Sequence, residues 1–119
     1  MNKYKGKQKG KITYRDISLT EQDKITYVYK KVKEEYQEVA NVFYEVKVKN
    51  KWITIVRYDS AHGYLHRHIK ISLEDESEII DLNIEQGSQH GWLTIAVEDL
   101  KTNFLEYRKL FFERSKVAA

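Results

Sequence analysis

VFYEVKVKNKWITIVRY, residues 42–58, is the clearest structural signal in the chain. In its first half, apolar and mostly polar residues alternate, which is typical of a strand with one face in a core. Asn50-Lys51 predicts a tight turn, and the second half, from Trp52 to Tyr58, is again rich in residues that favour strands. The stretch therefore predicts a β-hairpin within an antiparallel sheet.

Two further strands are predicted after the hairpin, over residues 65–73 and 78–84. Alternation in the first of them puts His66 and His68 on one face and Arg67 on the opposite, core-side face. The face with the two histidines would stay open to solvent or to a ligand.

Helices are predicted on both sides of these strands in the sequence. Before them, Thr20 and Asp23 resemble a capping box, and apolar residues follow at helical spacing. These apolar residues are Ile25, Val28, Val32 and Tyr36. After the strands, a long amphipathic helix is predicted from about Thr94 to Ser115. The expected fold class is α+β: an antiparallel sheet of three to four strands with an N-terminal helix and a long C-terminal helix packed on one face.

Length and composition limit the classes of protein to which the chain can belong. A chain of 119 residues, 41% of them hydrophobic, predicts one globular domain. The absence of cysteine excludes disulfides and thiolate metal sites, and it fits a cytoplasmic protein. No stretch approaches the roughly 18 apolar residues of a membrane helix, so no membrane association is expected. Abundant lysine and glutamate are typical of thermophilic proteins, whereas the absence of proline argues against that origin.

The basic excess of the chain lies at its N-terminus. Residues 1–11 contain five lysines and no acid, whereas the formal net charge of the whole chain is only +3. We therefore expect residues 1–11 to be a flexible basic tail and residues 12–119 to be a single α+β domain. Such a tail is either simply solvated or holds nucleic acid through non-specific phosphate contacts.

RYDSAHGYLHRH, residues 57–68, gathers the side chains best suited to titrate, bind metal or hold phosphate, including three of the four histidines. His66 and His68 are two residues apart on a strand, with Cα atoms roughly 6.5 Å apart. Arg57 and Asp59 end the neighbouring strand, close to them. The segment is therefore the candidate functional site, and three interpretations of it stay open.

The first interpretation is metal-independent cleavage of RNA, without a cofactor. Histidine suits both the base that takes a proton from the 2′-hydroxyl and the acid that protonates the leaving oxygen. The candidate acid–base residues are His62, His66, His68 and Asp59. The candidate residues for binding phosphate or another ligand are Arg57, Arg67, Lys70, Tyr58 and Tyr64. Cations stabilise charge on the phosphate, and tyrosines can stack on a base.

The second interpretation is a metal site, in which the two strand histidines and either His62 or Asp59 supply three ligands for zinc or another divalent ion. The third interpretation is structural. Here His62 caps a turn, Arg57 forms a local ion pair with Asp59, and the two strand histidines face solvent.

Residues 52–113 resemble a family of small prokaryotic proteins of unknown function. The resemblance rests on a tryptophan-centred hairpin, on the core R-Y-D-x-A-H-G at residues 57–63, and on the helix sequence AVEDLKTNFLEYRKLFF at residues 96–112. It implies that the first three residues of the core, His62 and Gly63 act as a unit.

A further similarity, to TumE-type toxins of toxin–antitoxin pairs, rests on the arrangement of His62, His66 and His68. It implies a toxin with a cognate antitoxin as partner. The expected function is therefore that of a toxin-like, RNA-directed protein, a metal-independent ribonuclease that uses the His/Arg cluster on the open sheet face. The alternatives are a non-enzymatic module that binds nucleic acid or protein, and a histidine-ligated metal-binding protein. An exposed edge strand would also allow a homodimer.

Overall fold

Six strands and one helix make up the described part of the chain. The structure is a computed structural model, which describes residues 11–32, 35–60 and 63–116. The strands are β1 (Lys11–Thr20), β2 (Asp23–Val32), β3 (Glu35–Val48), β4 (Lys51–Asp59), β5 (Leu65–Lys70) and β6 (Glu78–Ile84). They are followed by the helix α1 (Gln89–Arg114). The predicted basic tail, residues 1–11, lies outside the described residues except for the backbone of Lys11.

Each strand pairs with its neighbours in sequence, so the sheet has the order β1-β2-β3-β4-β5-β6 and every pairing is antiparallel. The predicted hairpin is confirmed as β3–β4. Lys49 and Asn50 form its turn, one residue before the predicted position, with φ angles of 52° and 67° that suit a tight hairpin. The two strands predicted after the hairpin are present as β5 and β6.

The predicted N-terminal helix is wrong. Its residues belong to β1, β2 and β3, and the described parts of the chain contain no helix before α1. Thr20 and Asp23 instead face each other across the β1–β2 turn, where the Thr20 hydroxyl donates to the Asp23 carboxylate. The run ITYVY, residues 25–29, favours this outcome because β-branched and aromatic side chains lose rotamer freedom in a helix and pack well in a sheet. The prediction of three to four strands is consequently wrong as well.

The predicted C-terminal helix is confirmed, and it packs on one face of the sheet. It begins at Gln89 rather than at Thr94, because the Ser88 hydroxyl caps it by accepting a hydrogen bond from the backbone N–H of Gly91 at 3.1 Å. The added first turn buries Trp92. Neither α1 nor any other described segment forms a helix that is long and apolar enough to cross a membrane.

The core lies between α1 and the middle strands. Its buried members include Ile25, Val42, Tyr44, Val46, Val56 and Tyr58 from the sheet, and Ala96, Leu100 and Phe111 from the helix. We call the side of the sheet that packs on α1 the helix face and the other side the open face. Because side chains alternate along a strand, the register assigns each strand residue to one face.

A row of cross-strand partners spans the open face from one edge to the other. Its members are Asp16, Thr26, Phe43, Arg57, His68 and Ile80, one from each strand. The adjacent row contains Asp59 and His66. The register therefore brings Arg57, Asp59 and both histidines of β5 together on the open face.

Candidate metal centre

The candidate site lies where β4 ends and β5 begins. Asp59 is the last residue of β4 and the direct partner of His66, and Arg57 is the partner of His68. All four side chains share a face because residues two apart in a strand point the same way. Strand pairing thus places one carboxylate against two imidazoles.

Both imidazoles approach the carboxylate of Asp59. Nε2 of His66 lies 3.0 Å from Oδ1, and Nε2 of His68 lies 3.1 Å from Oδ2. One ligand atom from each of the three side chains lies within 4.8 Å of the others. The histidine side chains are only 13% and 12% exposed, so the three groups meet in a largely desolvated position.

Arg57 and Glu78 form an outer layer around these three groups. Nη1 of Arg57 donates to Oδ2 of Asp59 at 2.7 Å, and Nη2 donates to Oε1 of Glu78 at 3.2 Å. The same Glu78 oxygen lies 3.2 Å from Nδ1 of His68. A carboxylate beside the second ring nitrogen of a metal-binding histidine is a common arrangement, because it sets the orientation and basicity of the ring.

The ring of His68 is unusual in its hydrogen bonding. Both of its nitrogens are buried, and neither makes an aligned hydrogen bond with any residue that the structure describes, although carboxylate oxygens lie 3.1 and 3.2 Å away. Buried polar atoms normally have such partners. Nε2 of His68 and Oδ2 of Asp59 thus lie close together without a hydrogen bond between them, which is how two ligands of one metal ion lie.

The charges of the cluster favour a cation. Asp59 and Glu78 contribute two negative charges and Arg57 one positive charge, so the cluster carries a net charge of −1 when both imidazoles are neutral. Asp59 is buried, whereas the side chain of Glu78 is 36% exposed, so solvent compensates part of this charge and a cation at Asp59 would compensate the rest. Neutral imidazole is also the form of histidine that binds metals, so the ligand chemistry and the charge balance agree.

The donor set suits a divalent transition metal. Two imidazole nitrogens and one carboxylate oxygen are ligands of zinc and of its neighbours in the first transition row. With metal–ligand bonds of about 2.0–2.1 Å, two ligands at a tetrahedral angle lie about 3.3 Å apart. The nitrogen–oxygen distances of 3.0 and 3.1 Å are within a few tenths of an ångström of that value.

Three other predicted site residues lie near the cluster or outside the described residues. The ring centroid of Tyr64 is 4.6 Å from that of His66, so Tyr64 forms part of the wall of the site. Lys70 shares the open face, but its Nζ donates to the carbonyl oxygen of Asp75 at 3.1 Å. His62 lies outside the described residues.

Two predicted ligand-binding residues, Arg67 and Tyr58, are not brought to the cluster. Both lie on the helix face, where Arg67 makes a bidentate ion pair with Asp81 at 2.8 and 2.9 Å. The Tyr58 hydroxyl donates to Asp99 of α1 at 2.6 Å. Tyr107 donates to the same carboxylate oxygen at 2.6 Å and accepts from Arg67 at 2.7 Å. These groups form a polar network that joins the sheet to the helix.

Within this network the pKa values of the two tyrosines are raised, and the pKa of Asp99 is lowered. Burial, together with the neighbouring Asp99 carboxylate, raises the pKa of Tyr58 and of Tyr107 well above the usual tyrosine range. Burial alone would raise the pKa of Asp99, but hydrogen bonds donated by Tyr107, Tyr58 and Asn103 outweigh it and lower that pKa. Asp99 is therefore held as a carboxylate, and both tyrosines stay neutral donors.

Glu78 is the member of the cluster that the sequence prediction missed. It begins a predicted strand, so its presence at a sheet edge was foreseeable. Its position against His68 depends on the β5–β6 register, which shifts between Arg67 and His68. A one-residue irregularity of this kind leaves no mark in the sequence pattern.

The fold and the cluster define a small α+β domain, an antiparallel sheet with one helix, that carries a His–His–Asp group on its open face. The chain belongs to the family described as "Domain of unknown function (DUF7718)", which matches residues 5–117. No curated protein and no solved structure matches it. The resemblances to the R-Y-D-x-A-H-G family and to TumE-type toxins stay predictions.

Proposed function

We propose that the protein binds a divalent transition metal ion through Asp59, His66 and His68. The observation that carries the proposal is the approach of two imidazole nitrogens to one carboxylate at 3.0 and 3.1 Å in a largely buried position. A metal ion between these three groups would bind Nε2 of His68 and compensate the charge of the buried Asp59 carboxylate. The outer pair, Arg57 and Glu78, would hold the carboxylate and the His68 ring in place.

The ligand types narrow the choice of metal. Magnesium and calcium prefer six or more oxygen ligands, and the cluster offers two nitrogens. The chain has no cysteine, so ions that select thiolate gain nothing here. Iron(II), cobalt, nickel, copper and zinc are the ions that a two-imidazole, one-carboxylate set binds well. Cobalt is the useful probe among them because its visible absorption reports the ligands and geometry around the ion.

The first test is a metal titration of tag-free, chelator-stripped protein by calorimetry, with zinc and with cobalt. We expect one ion per chain with micromolar or tighter affinity, and a rise in melting temperature with metal concentration, because a ligand of the folded state stabilises it. His68→Gln should weaken binding by at least about 100-fold, since even the loss of an outer partner lowers affinity 10- to 100-fold.

The matched control is His90→Gln. His90 lies at the start of α1 and is exposed, so the substitution removes an imidazole without touching the cluster. It should bind metal as the wild type does. Circular dichroism and the metal-free melting curve show whether His68→Gln is folded, and His66→Gln serves as a second ligand variant. Equal affinity of the wild type and both ligand variants would refute the proposed site.

The metal-independent ribonuclease interpretation has less support from the geometry. In such an enzyme a base and an acid act on opposite sides of the scissile phosphate. Here Nε2 of both imidazoles approaches the same carboxylate, and both η nitrogens of Arg57 are already occupied by acidic side chains. No comparison bears on a toxin role, an RNA substrate or an antitoxin partner, and these stay predictions.

A single assay separates the two interpretations. If the proposed metal site is correct, protein in excess EDTA should leave a labelled RNA intact over a long incubation. Cleavage that persists in EDTA and is abolished by His66→Ala would instead establish the ribonuclease interpretation. His90→Ala is the control and should stay active. This result would overturn the proposal that Asp59, His66 and His68 serve as metal ligands.

A further inference from the structure

The pairing between β4 and β5 carries the whole candidate metal site. Asp59 lies on β4, whereas His66 and His68 lie on β5, so a shift of one strand against the other changes the distances between the carboxylate and the imidazoles. Metal–ligand distances tolerate deviations of only about 0.2 Å. Binding of a metal ion by these three groups therefore requires that the two strands keep a fixed position relative to each other.

This pairing is short, and β5 is paired irregularly on its other side. The β4–β5 pairing consists of four pairs of facing residues, fewer than any other pairing between the strands that the structure describes. On its other side, β5 pairs with the edge strand β6, and the register of that pairing shifts between Arg67 and His68. Such a shift disrupts the ladder of hydrogen bonds locally. A further contact that holds β5 against β4 would therefore fix the ligands more firmly.

Tyr58 and Arg67 supply that contact on the helix face. They are direct partners in the β4–β5 pairing. Tyr58 directly precedes Asp59 in the chain, and Arg67 separates His66 from His68. Neighbouring residues of a strand point to opposite faces but share one backbone. Side chains that are held on the helix face at this level therefore also limit the movement of the ligands on the open face.

Asp99 of α1 connects these two side chains. Its Oδ2 accepts a hydrogen bond from the Tyr58 hydroxyl at 2.6 Å and lies 3.4 Å from Nη1 of Arg67. The hydroxyl of Tyr107, also on α1, donates to the same Oδ2 at 2.6 Å and accepts from Nη1 of Arg67 at 2.7 Å. Tyr58 is buried, and the Arg67 side chain is only 20% exposed, so water competes little for these bonds. One carboxylate thus links both strands that carry the ligands.

We infer that Asp99 is a positioning residue for the metal site. It lies on the opposite side of the sheet from the ligands and acts through Tyr58 and Arg67, which hold β4 and β5 at the separation that the metal ion requires. The inference rests on the proposed metal site. It adds that the affinity of the open face for metal depends on a carboxylate of α1 behind the sheet.

Metal titration of Asp99→Ala and Tyr58→Phe tests this role, at a temperature at which circular dichroism shows every variant to be folded. Asp99→Ala should lower the affinity for zinc and cobalt at least about tenfold, the lower end of the range for residues that support metal ligands. Tyr58→Phe keeps the ring and the net charge and removes only the hydroxyl that donates to Asp99. Its loss should be smaller, at least about threefold, because Arg67 and Tyr107 still contact Asp99. The visible spectrum of bound cobalt should change in both variants.

Two control variants separate positioning from other effects. Glu98→Ala removes the same charge at an exposed neighbouring position, so it measures the long-range effect of that charge on a bound cation. Arg108→Met removes a contact between α1 and Asp23 of β2, so it measures the effect of a general loss of stability. Both variants should bind metal with the affinity and the cobalt spectrum of the wild type.

The possible results distinguish this inference from the proposed function. A wild type that binds no metal refutes the site itself, and the inference with it. A wild type that binds metal while Asp99→Ala and Tyr58→Phe bind it equally well overturns the inference alone. An equal loss of affinity in Arg108→Met does the same. If Asp99→Ala does not fold, Tyr58→Phe decides, since wild-type affinity in that variant also overturns the inference.

Discussion

Replacing Arg108 with methionine is expected to lower the free energy of unfolding by about 3 kcal/mol, the lower end of the range for a buried ion pair, because the Arg108 side chain is 30% exposed. Nη1 of Arg108, on α1, donates to Oδ2 of Asp23 at 2.6 Å. Asp23 is fully buried at the start of β2. Removing one partner of a buried ion pair is strongly destabilising because the remaining charge has lost its compensation. The aliphatic part of methionine keeps most of the packing, so the loss reports the charge.

The remaining contacts of Asp23 cannot replace the arginine. The Tyr44 hydroxyl donates to Oδ1 of Asp23 at 2.5 Å, and Thr20 donates to the other oxygen. Burial, with the hydrogen bond to Asp23, raises the pKa of Tyr44 far above its usual range, so the tyrosine stays a neutral donor. Two neutral donors orient the carboxylate without balancing its charge.

Urea unfolding followed by circular dichroism measures this effect. The control is Lys109→Met, a neighbouring change at an exposed position of the same helix, which should change the stability by less than about 0.5 kcal/mol. The double variant Asp23→Asn with Arg108→Met should recover part of the loss, because it removes the uncompensated charge. A loss below about 1 kcal/mol in Arg108→Met would show that Asp23 does not depend on the arginine.

Replacing Asp99 with alanine is expected to lower the free energy of unfolding by about 2–4 kcal/mol at neutral pH. Oδ2 of Asp99 accepts hydrogen bonds from the hydroxyls of Tyr58 and Tyr107, both at 2.6 Å. The Tyr58 side chain is almost completely buried, so its hydroxyl would lose its acceptor without gaining water. Glu98→Ala, at the exposed preceding position, is the control and should be nearly neutral.

The contribution of the Asp99 charge should depend on pH, and Asp99→Asn isolates it. The pKa of Asp99 is lower in the folded protein than its ordinary value of about 3.9. Its charge therefore stabilises the fold fully above that ordinary value, and this contribution is lost as the pH falls through the lower folded pKa. The stability gap between wild type and Asp99→Asn should be constant from pH 7 to about 5 and shrink below about 4. A gap that grows towards acid pH would contradict the assignment.

The sequence predicts the parts of this fold that follow a single clear pattern. The first strand of the hairpin alternates apolar and polar residues, the second is rich in residues that favour strands, and α1 carries a long apolar stripe, so all three were predicted. Residues 20–36 carry two patterns at once. Their apolar residues have helical spacing, while their side chains are β-branched and aromatic, and pairing with β1 and β3 on both sides settles the conflict in favour of a strand.

The sequence predicts which residues form the candidate site and which face of the sheet they share. It does not predict which of them are in contact. Alternation alone places His66 and His68 on one face and Arg67 on the other, and the contacts of Arg67 with Tyr107 and Asp81 agree with this. Two contacts could not be predicted in this way: Asp59 lies opposite His66, and Glu78 lies against His68. Both depend on the pairing of three strands, and the second also depends on a shift in register. Such pairing is decided by the whole sheet.

The neighbour-to-neighbour order of the strands also bears on how the chain folds. Each pairing in the sheet is a hairpin between segments adjacent in sequence, so the sheet can form by short loop closures. Docking of α1 is different, since the Arg108–Asp23 contact joins residues 85 positions apart. The chain entropy lost in closing that loop is recovered only once the helix meets a formed sheet. We therefore expect docking of the helix to follow formation of the sheet.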